Sequence, residues 1–235
     1  MAPWLRERGH DVTAVDLPGR HGAADADQLQ DFSITDYVAA VVAAIRDMPA
    51  APAVIGHSMG GLLALRASLE EAVAGVALVS SVPPTGLSAP AMEMAMGDPL
   101  LFGEVAGILG GDECGSPEVL RRALFSDAVG NDEALSYLAR FQSESRQAVM
   151  ALHGLQAFNP LAHWGLPILV LGGAEDRLIS PAHVHWTATL LGRRAEIIPG
   201  IGHAVMLEPA WIDVAERIEG WLAETFTGTS ARAHG

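Results

Sequence analysis

Short apolar runs alternate along this chain with segments in which apolar residues recur at helical spacing. The runs, bounded by glycine, proline or polar residues, lie at 12–15, 52–56, 74–80, 167–171 and 195–198. Helical spacing begins near residues 33, 58, 181 and 209. Alternating strands and helices are typical of a parallel sheet, because each parallel connection needs a crossover. The pattern predicts an α/β fold, with a mostly parallel sheet and flanking helices.

The alternation lapses between residues 83 and 164. Several short helical patterns replace it, separated by Gly97, Gly110-Gly111 and Gly130. We expect residues 84–164 to form a helical cap inserted into a core made of 1–83 and 165–226. The small, polar tail at 227–235 is expected to be disordered.

Composition narrows the class of protein. The 235 residues, 50% of them hydrophobic, suit one domain with a large core. The net charge of −14, with arginine as the only strong base, disfavours nucleic acid or an anionic membrane face as a partner. No uncharged run approaches the length of a membrane span. The single Cys114 allows no internal disulfide, and we expect a cytoplasmic protein.

A glycine-flanked serine follows the second apolar run. The segment reads Gly56-His57-Ser58-Met59-Gly60-Gly61, between a predicted strand and a predicted helix. This order predicts a nucleophile elbow, a sharp turn that holds a serine hydroxyl clear of the sheet in a strained backbone conformation. Such a turn needs residues without side chains nearby, which explains Gly56 and Gly60.

A carboxylate and an imidazole follow two later strands. The run at 167–171 leads into Glu175-Asp176, and the run at 195–198 leads into His203. Parallel sheets gather their sites at the carboxyl ends of strands, so these side chains should meet Ser58. A serine hydroxyl needs a base to take its proton, and an imidazole serves best when a carboxylate orients it. Glu175 and Asp176 are both candidates for that carboxylate.

The chain resembles the α/β-hydrolase superfamily. The resemblance rests on Asp16-Leu17-Pro18-Gly19, the segment Gly56–Gly61, Asp176, and His203 ahead of Glu208-Pro209, and it covers about residues 4–226. It implies Ser58 as nucleophile, His203 as base, Asp176 as orienting acid, and the Met59 N–H as one oxyanion donor. It implies no cofactor and no metal, and a small molecule as substrate. Oligomeric state is left open.

The resemblance also implies upstream strands that this sequence lacks. Family members carry three more strands before the predicted strand at 12–16, and the third precedes a loop that donates the second oxyanion N–H. We expect either an N-terminally truncated chain with impaired activity, or a sheet that has closed up around the gap. A version with its upstream region restored should then be the better catalyst.

Serine hydrolysis of carboxylic esters is the leading interpretation, and two alternatives stay open. The same triad serves perhydrolase and hydroxynitrile-lyase chemistry. A truncated or non-catalytic form could instead bind a small molecule without turnover. The serine argues against the dehalogenase relatives, which use aspartate.

Four further residues have ordinary structural interpretations. His57 is expected to pack beside the nucleophile. His183 and His185 lie two apart on a predicted helix, so they do not face each other and make a poor metal pair. Glu208 is expected to face the N-terminus of the last helix, where a negative charge is favourable.

Overall fold

The computed structural model describes residues 1–20, 29–110, 116–141, 144–154 and 156–226. The predicted disordered tail at 227–235 and Cys114 lie outside these ranges. The strands are β1 (Ala53–His57), β2 (Gly75–Val79), β3 (Ile168–Gly173) and β4 (Ala195–Ile198). The helices are α1 (Ala2–Glu7), α2 (Ile34–Arg46), α3 (Met59–Ala67), α4 (Ser88–Gly97), α5 (Pro99–Gly110), α6 (Pro117–Leu124), α7 (Asn131–Leu138), α8 (Arg146–His153), α9 (Pro181–Leu190) and α10 (Trp211–Phe226).

The four strands form one parallel sheet in the order β1-β2-β3-β4. Alternate residues of β2 point to opposite faces. Val76 and Leu78 pack with α3 and α9, whereas Ala77 and Val79 pack with α10. Burial on both faces explains why β2 and β3 are continuous apolar runs. The predicted α/β fold is confirmed.

The apolar run at 12–15 is not a strand, contrary to the prediction. Within the described ranges, no strand pairs with the outer edge of β1 or with this run. The Val12 carbonyl instead accepts hydrogen bonds from Arg6 Nε and Nη2, at 3.2 and 2.6 Å, and Val15 is 40% exposed. A β-branched run becomes a strand only where a neighbouring strand satisfies its backbone, and the described part of the chain offers this run no such strand.

Helix α2 begins with the predicted capping box. The Ser33 hydroxyl accepts from the Asp36 N–H at 3.3 Å, and the Asp36 carboxylate accepts from the Ser33 N–H at 2.7 Å. These bonds satisfy backbone donors that the first helical turn leaves free. The buried face of α2 packs on α3.

Between β2 and β3 the described residues contain five α-helices and no strand. Two of these helices, α4 and α5, end at Gly97 and Gly110, and Gly130 precedes α7. The segment after α6 packs onto the sheet domain, because Phe125 and Val129 form a buried cluster with Ala204. The helical insertion therefore contacts the loop that carries His203.

Candidate active site

Ser58 lies between β1 and α3 in a strained conformation. Its φ is 53° and its ψ is −123°, values that L-residues rarely adopt. The turn is fixed by backbone bonds: the Ser58 N–H donates to the Val79 carbonyl at 3.1 Å, and the Ser58 carbonyl accepts from the Val82 N–H at 3.0 Å. The ends of β1 and β2 thus hold the serine in place.

Only one of the two glycines expected to permit this turn is required there. A Cβ on Gly56 would lie 2.3 Å from the Gly60 carbonyl oxygen, and one on Gly61 would lie 2.2 Å from Ser81 Oγ. A Cβ on Gly60 would meet no atom within 4 Å. Close approach therefore requires glycine at positions 56 and 61, and the expectation for Gly60 was wrong.

Three side chains from separate loops form one hydrogen-bonded chain. Ser58 Oγ lies 2.9 Å from His203 Nε2, and His203 Nδ1 lies 2.9 Å from Asp176 Oδ2. Since a carboxylate only accepts, Nδ1 carries the proton that it donates to Asp176. Nε2 is then free to accept the Ser58 hydroxyl proton, which is the arrangement of a general base beside a nucleophile.

Asp176, not Glu175, contacts the imidazole. Asp176 is 3% exposed, and its Oδ1 accepts from the N–H groups of Leu178 and Ile179, at 2.9 and 2.8 Å. Glu175 is exposed, and its carboxylate accepts from the Asp127 N–H at 3.0 Å. Backbone bonds therefore fix the orientation of the carboxylate that orients His203.

Met59 is the first residue of α3. The N–H groups of a first helical turn have no intrahelical acceptor, and they carry the positive end of the helix dipole. The Met59 N–H, next in sequence to Ser58, is therefore free of the helix ladder and available to an anionic oxygen.

His57 contacts the loop that carries His203. Its Nε2 donates to the His203 carbonyl at 2.7 Å, and the two rings lie 5.0 Å apart. Burial, and secondarily the neighbouring His203, lower the pKa of His57 from 6.5 to about 4. A neutral imidazole that donates to this carbonyl serves as a support for the loop.

Glu208 precedes α10 as expected, and its carbonyl accepts from the Trp211 N–H at 3.1 Å, but its side chain has a different role. It is 1% exposed, and its carboxylate accepts from the Gly202 N–H and from both the N–H and the hydroxyl of Ser126. Its side chain therefore contacts the loop beside His203 and the insertion, not the first turn of α10. The sequence contained one indication that Glu208 is buried, because this residue directly follows the apolar segment 204–207, but it contained no indication of its partners.

The histidine pair on α9 does not converge. His183 Nε2 lies 2.6 Å from the Glu93 carboxylate, while His185 is exposed. Within the described parts of the chain, no group of three or more His, Cys, Asp or Glu side chains is placed to hold a metal ion. No helix in those parts is long and apolar enough to cross a membrane.

A serine in a strand-turn-helix segment, an imidazole and a buried carboxylate at the ends of parallel strands suit nucleophilic chemistry. A model of the alpha/beta hydrolase family matches residues 1–216. The chain belongs to the alpha/beta hydrolase family. The proposed nucleophile elbow lies within the matched residues, and so do the imidazole and the carboxylate.

Solved structures of hydrolases share this fold. Polyneuridine aldehyde esterase is 18% identical, with 93% of this chain and 90% of that chain covered and a TM-score of 0.69. An extracellular α/β-hydrolase from a Paenibacillus species is 20% identical, with coverages of 95% and 90% and a TM-score of 0.69. A thermophilic esterase from Thermogutta terrifontis is 15% identical, with coverages of 83% and 73% and a TM-score of 0.64. At such identities the likeness shows the fold alone. A comparison with curated proteins finds no match.

Proposed function

We propose that this member of the hydrolase family is a serine hydrolase of carboxylic esters or related small acyl substrates. The observation that carries the proposal is the Ser58–His203–Asp176 chain, with both bonds at 2.9 Å. Membership of the hydrolase family supports it. No cofactor is needed for the steps below.

In the first half-reaction His203 Nε2 takes the hydroxyl proton as Ser58 Oγ bonds to the acyl carbon. The carbonyl π electrons move onto oxygen, where the Met59 N–H donates a hydrogen bond to the developing charge. His203 then gives its proton to the departing alkoxide, which leaves as an alcohol, and Ser58 is acylated. Asp176 holds the Nδ1 proton and stabilises the imidazolium.

In the second half-reaction water replaces the alcohol. His203 takes a proton from water as the water oxygen bonds to the acyl carbon. The bond between the acyl carbon and Ser58 Oγ then breaks as His203 returns that proton to Oγ. The products are a carboxylic acid and free Ser58. Each proton that His203 takes is given back within the cycle.

The proposal includes a cap. Residues 84–164, whose described part is mostly helical, would cover Ser58 and shape the acyl pocket, while 1–83 and 165–226 supply the core. The contact of Leu178 with the buried cluster of Leu101, Val119 and Ala123 supports this, because Leu178 follows Asp176 closely. We place the reaction in the cytoplasm, because the single cysteine suits a reducing compartment.

A fluorophosphonate probe tests the proposal, since it reacts only with an activated serine. Mass spectrometry should locate the adduct on Ser58, and hydrolysis of 4-nitrophenyl esters should disappear in S58A. The matched control is S68A, which removes a hydroxyl at the other end of α3 that bonds the Leu65 carbonyl. A folded protein without label, or with label elsewhere, would contradict the proposal and favour binding without turnover.

A further inference from the structure

A buried carboxylate outside the proposed triad joins two distant parts of the chain. Glu208 Oε1 accepts from the Ser126 N–H at 2.7 Å and the Gly202 N–H at 3.0 Å, while Oε2 accepts from the Ser126 hydroxyl at 2.7 Å. Ser126 belongs to the helical insertion, and Gly202 directly precedes His203. Ser126 and Glu208 are both about 1% exposed.

The donors around Glu208 are neutral, since each is a backbone N–H or a hydroxyl. A buried carboxylate is costly unless its oxygens accept hydrogen bonds, and here three donors converge on two oxygens. The cost also applies in reverse, because the N–H groups of Ser126 and Gly202 would be left buried without an acceptor. Removing either the carboxylate or its donors would therefore leave buried polar groups without a hydrogen-bond partner.

The loop at 202–204 is bonded at each of its residues. Gly202 donates to Glu208, the His203 carbonyl accepts from His57 Nε2 at 2.7 Å, and the Ala204 N–H donates to the Leu124 carbonyl at 2.7 Å. Space is equally restricted, since a Cβ on Gly202 would lie 2.7 Å from Glu208 Oε1 and from two backbone atoms of residues 125 and 126. The insertion supplies one of the three attachments directly, through Leu124, and a second indirectly, because Ser126 donates to the same Glu208 carboxylate as Gly202.

We propose that Glu208 is a positioning residue: by joining Ser126 of the insertion to Gly202, it holds the His203 imidazole within reach of Ser58. The inference rests on the proposed function. Proton transfer needs Nε2 close to Ser58 Oγ, and displacements of about 1 Å can cost ~10²-fold in rate. A carboxylate that never touches the substrate can therefore control the reactivity of Ser58.

The test compares E208A with E208Q. Glutamine keeps the shape, and its amide oxygen can accept both N–H groups while its NH2 donates to Ser126 Oγ. We expect E208A to lower the rate of fluorophosphonate labelling by ~10²-fold, the size of effect given for a 1 Å displacement. E208Q should restore most of that rate. E196A is the control, because the Glu196 carboxylate bonds Arg217, at 2.6 and 2.7 Å, and not Gly202. We expect the E196A variant to be labelled at the wild-type rate.

A second readout does not depend on catalysis. The Nδ1 proton of His203, bonded to Asp176, should give a low-field NMR signal that persists in wild type, E208Q and E196A and is lost to fast exchange in E208A. If the wild type is not labelled, the proposed function fails, and this signal still decides the positioning role. Retention of both signal and labelling rate in E208A would overturn the inference, as would equal loss in E208Q.

Ser126 provides a variant in case E208A does not fold. S126A removes the hydroxyl, which donates to Glu208 and accepts from the Ala128 N–H at 3.2 Å. It keeps the bond from the Ser126 N–H to Glu208, so the fold should survive. We expect faster hydrogen exchange at the Gly202 amide and slower labelling of Ser58. Wild-type values for both measurements would count against the inference.

Discussion

At Ser58, hydrogen bonds to neighbouring residues stabilise a strained backbone conformation. A serine with φ of 53° is unfavourable alone, and it is held here by hydrogen bonds to Val79 and Val82. The turn brings Gly56 against the carbonyl of Gly60, which excludes any side chain at position 56. Position 60 faces open space and carries no such restriction.

This difference gives a prediction for two similar substitutions. G56A should lower the free energy of unfolding by more than about 2 kcal/mol, because a Cβ 2.3 Å from a backbone oxygen forces the turn apart. G60A should leave the free energy of unfolding unchanged or raise it by up to about 1 kcal/mol, because alanine is favoured over glycine within a helix. Urea denaturation measures both, and equal losses in the two variants would contradict the steric account.

A pH effect follows from His57. Its pKa in the folded protein, about 4, is below the ordinary 6.5, so between these values the unfolded chain binds the extra proton. Stability due to neutral His57 is therefore complete above about pH 6.5 and is lost as the pH falls toward 4. The shift corresponds to at most about 3 kcal/mol.

H57Q tests this prediction. Glutamine keeps an amide N–H that can reach the His203 carbonyl, and it does not titrate. Unfolding curves at pH 7 and near pH 4.5 should show a larger loss for the wild type than for H57Q. If both proteins lose the same stability over this range, the dependence arises from other groups.

At the level of secondary-structure elements, an apolar run forms a strand only where another strand pairs with it. The runs that became β2 and β3 lie between other strands. The run at 12–15 has no strand beside it among the described residues, and it is irregular. Helix α2 depends less on its surroundings, because its capping box is encoded within four consecutive residues. Local signals of this kind are legible from the sequence.

The capping box can be tested by one substitution. S33A removes the acceptor of the Asp36 N–H and should cost about 1 kcal/mol of stability. T35A, at an exposed position in the same helical turn, should change stability by less than about 0.5 kcal/mol. Thermal unfolding of the two variants provides the comparison, and a negligible effect of S33A would show that the cap contributes nothing measurable.

The net charge of −14 acts at the level of the whole molecule. It repels anions over distances set by salt, and the Debye length falls from ~30 Å at about 0.01 M to ~10 Å at about 0.1 M. We expect kcat/KM for an anionic ester, such as a 4-nitrophenyl hemisuccinate, to rise several-fold over this range. The neutral 4-nitrophenyl butyrate should not respond, and a parallel response of both esters would indicate a salt effect on the fold.

Patterns within short segments of the sequence were enough to predict the fold class and the positions of the three candidate catalytic residues. The α/β alternation, the turn at Ser58 and the positions of Asp176 and His203 after strand ends are properties of short segments. Parallel strands place their carboxyl ends at one edge, so the meeting of these residues could be expected before their distances were known.

The tertiary structure alone decided contacts between segments far apart. Nothing near Glu208 in sequence shows that its carboxylate meets Ser126, 82 positions away. The same holds for Gly61, because glycine is required there by Ser81 of the next loop, and for the run at 12–15, which no strand of the described ranges accompanies. Periodicity and turn chemistry report the preferences of a segment, whereas burial, close approach and strand pairing depend on what the rest of the chain places beside it.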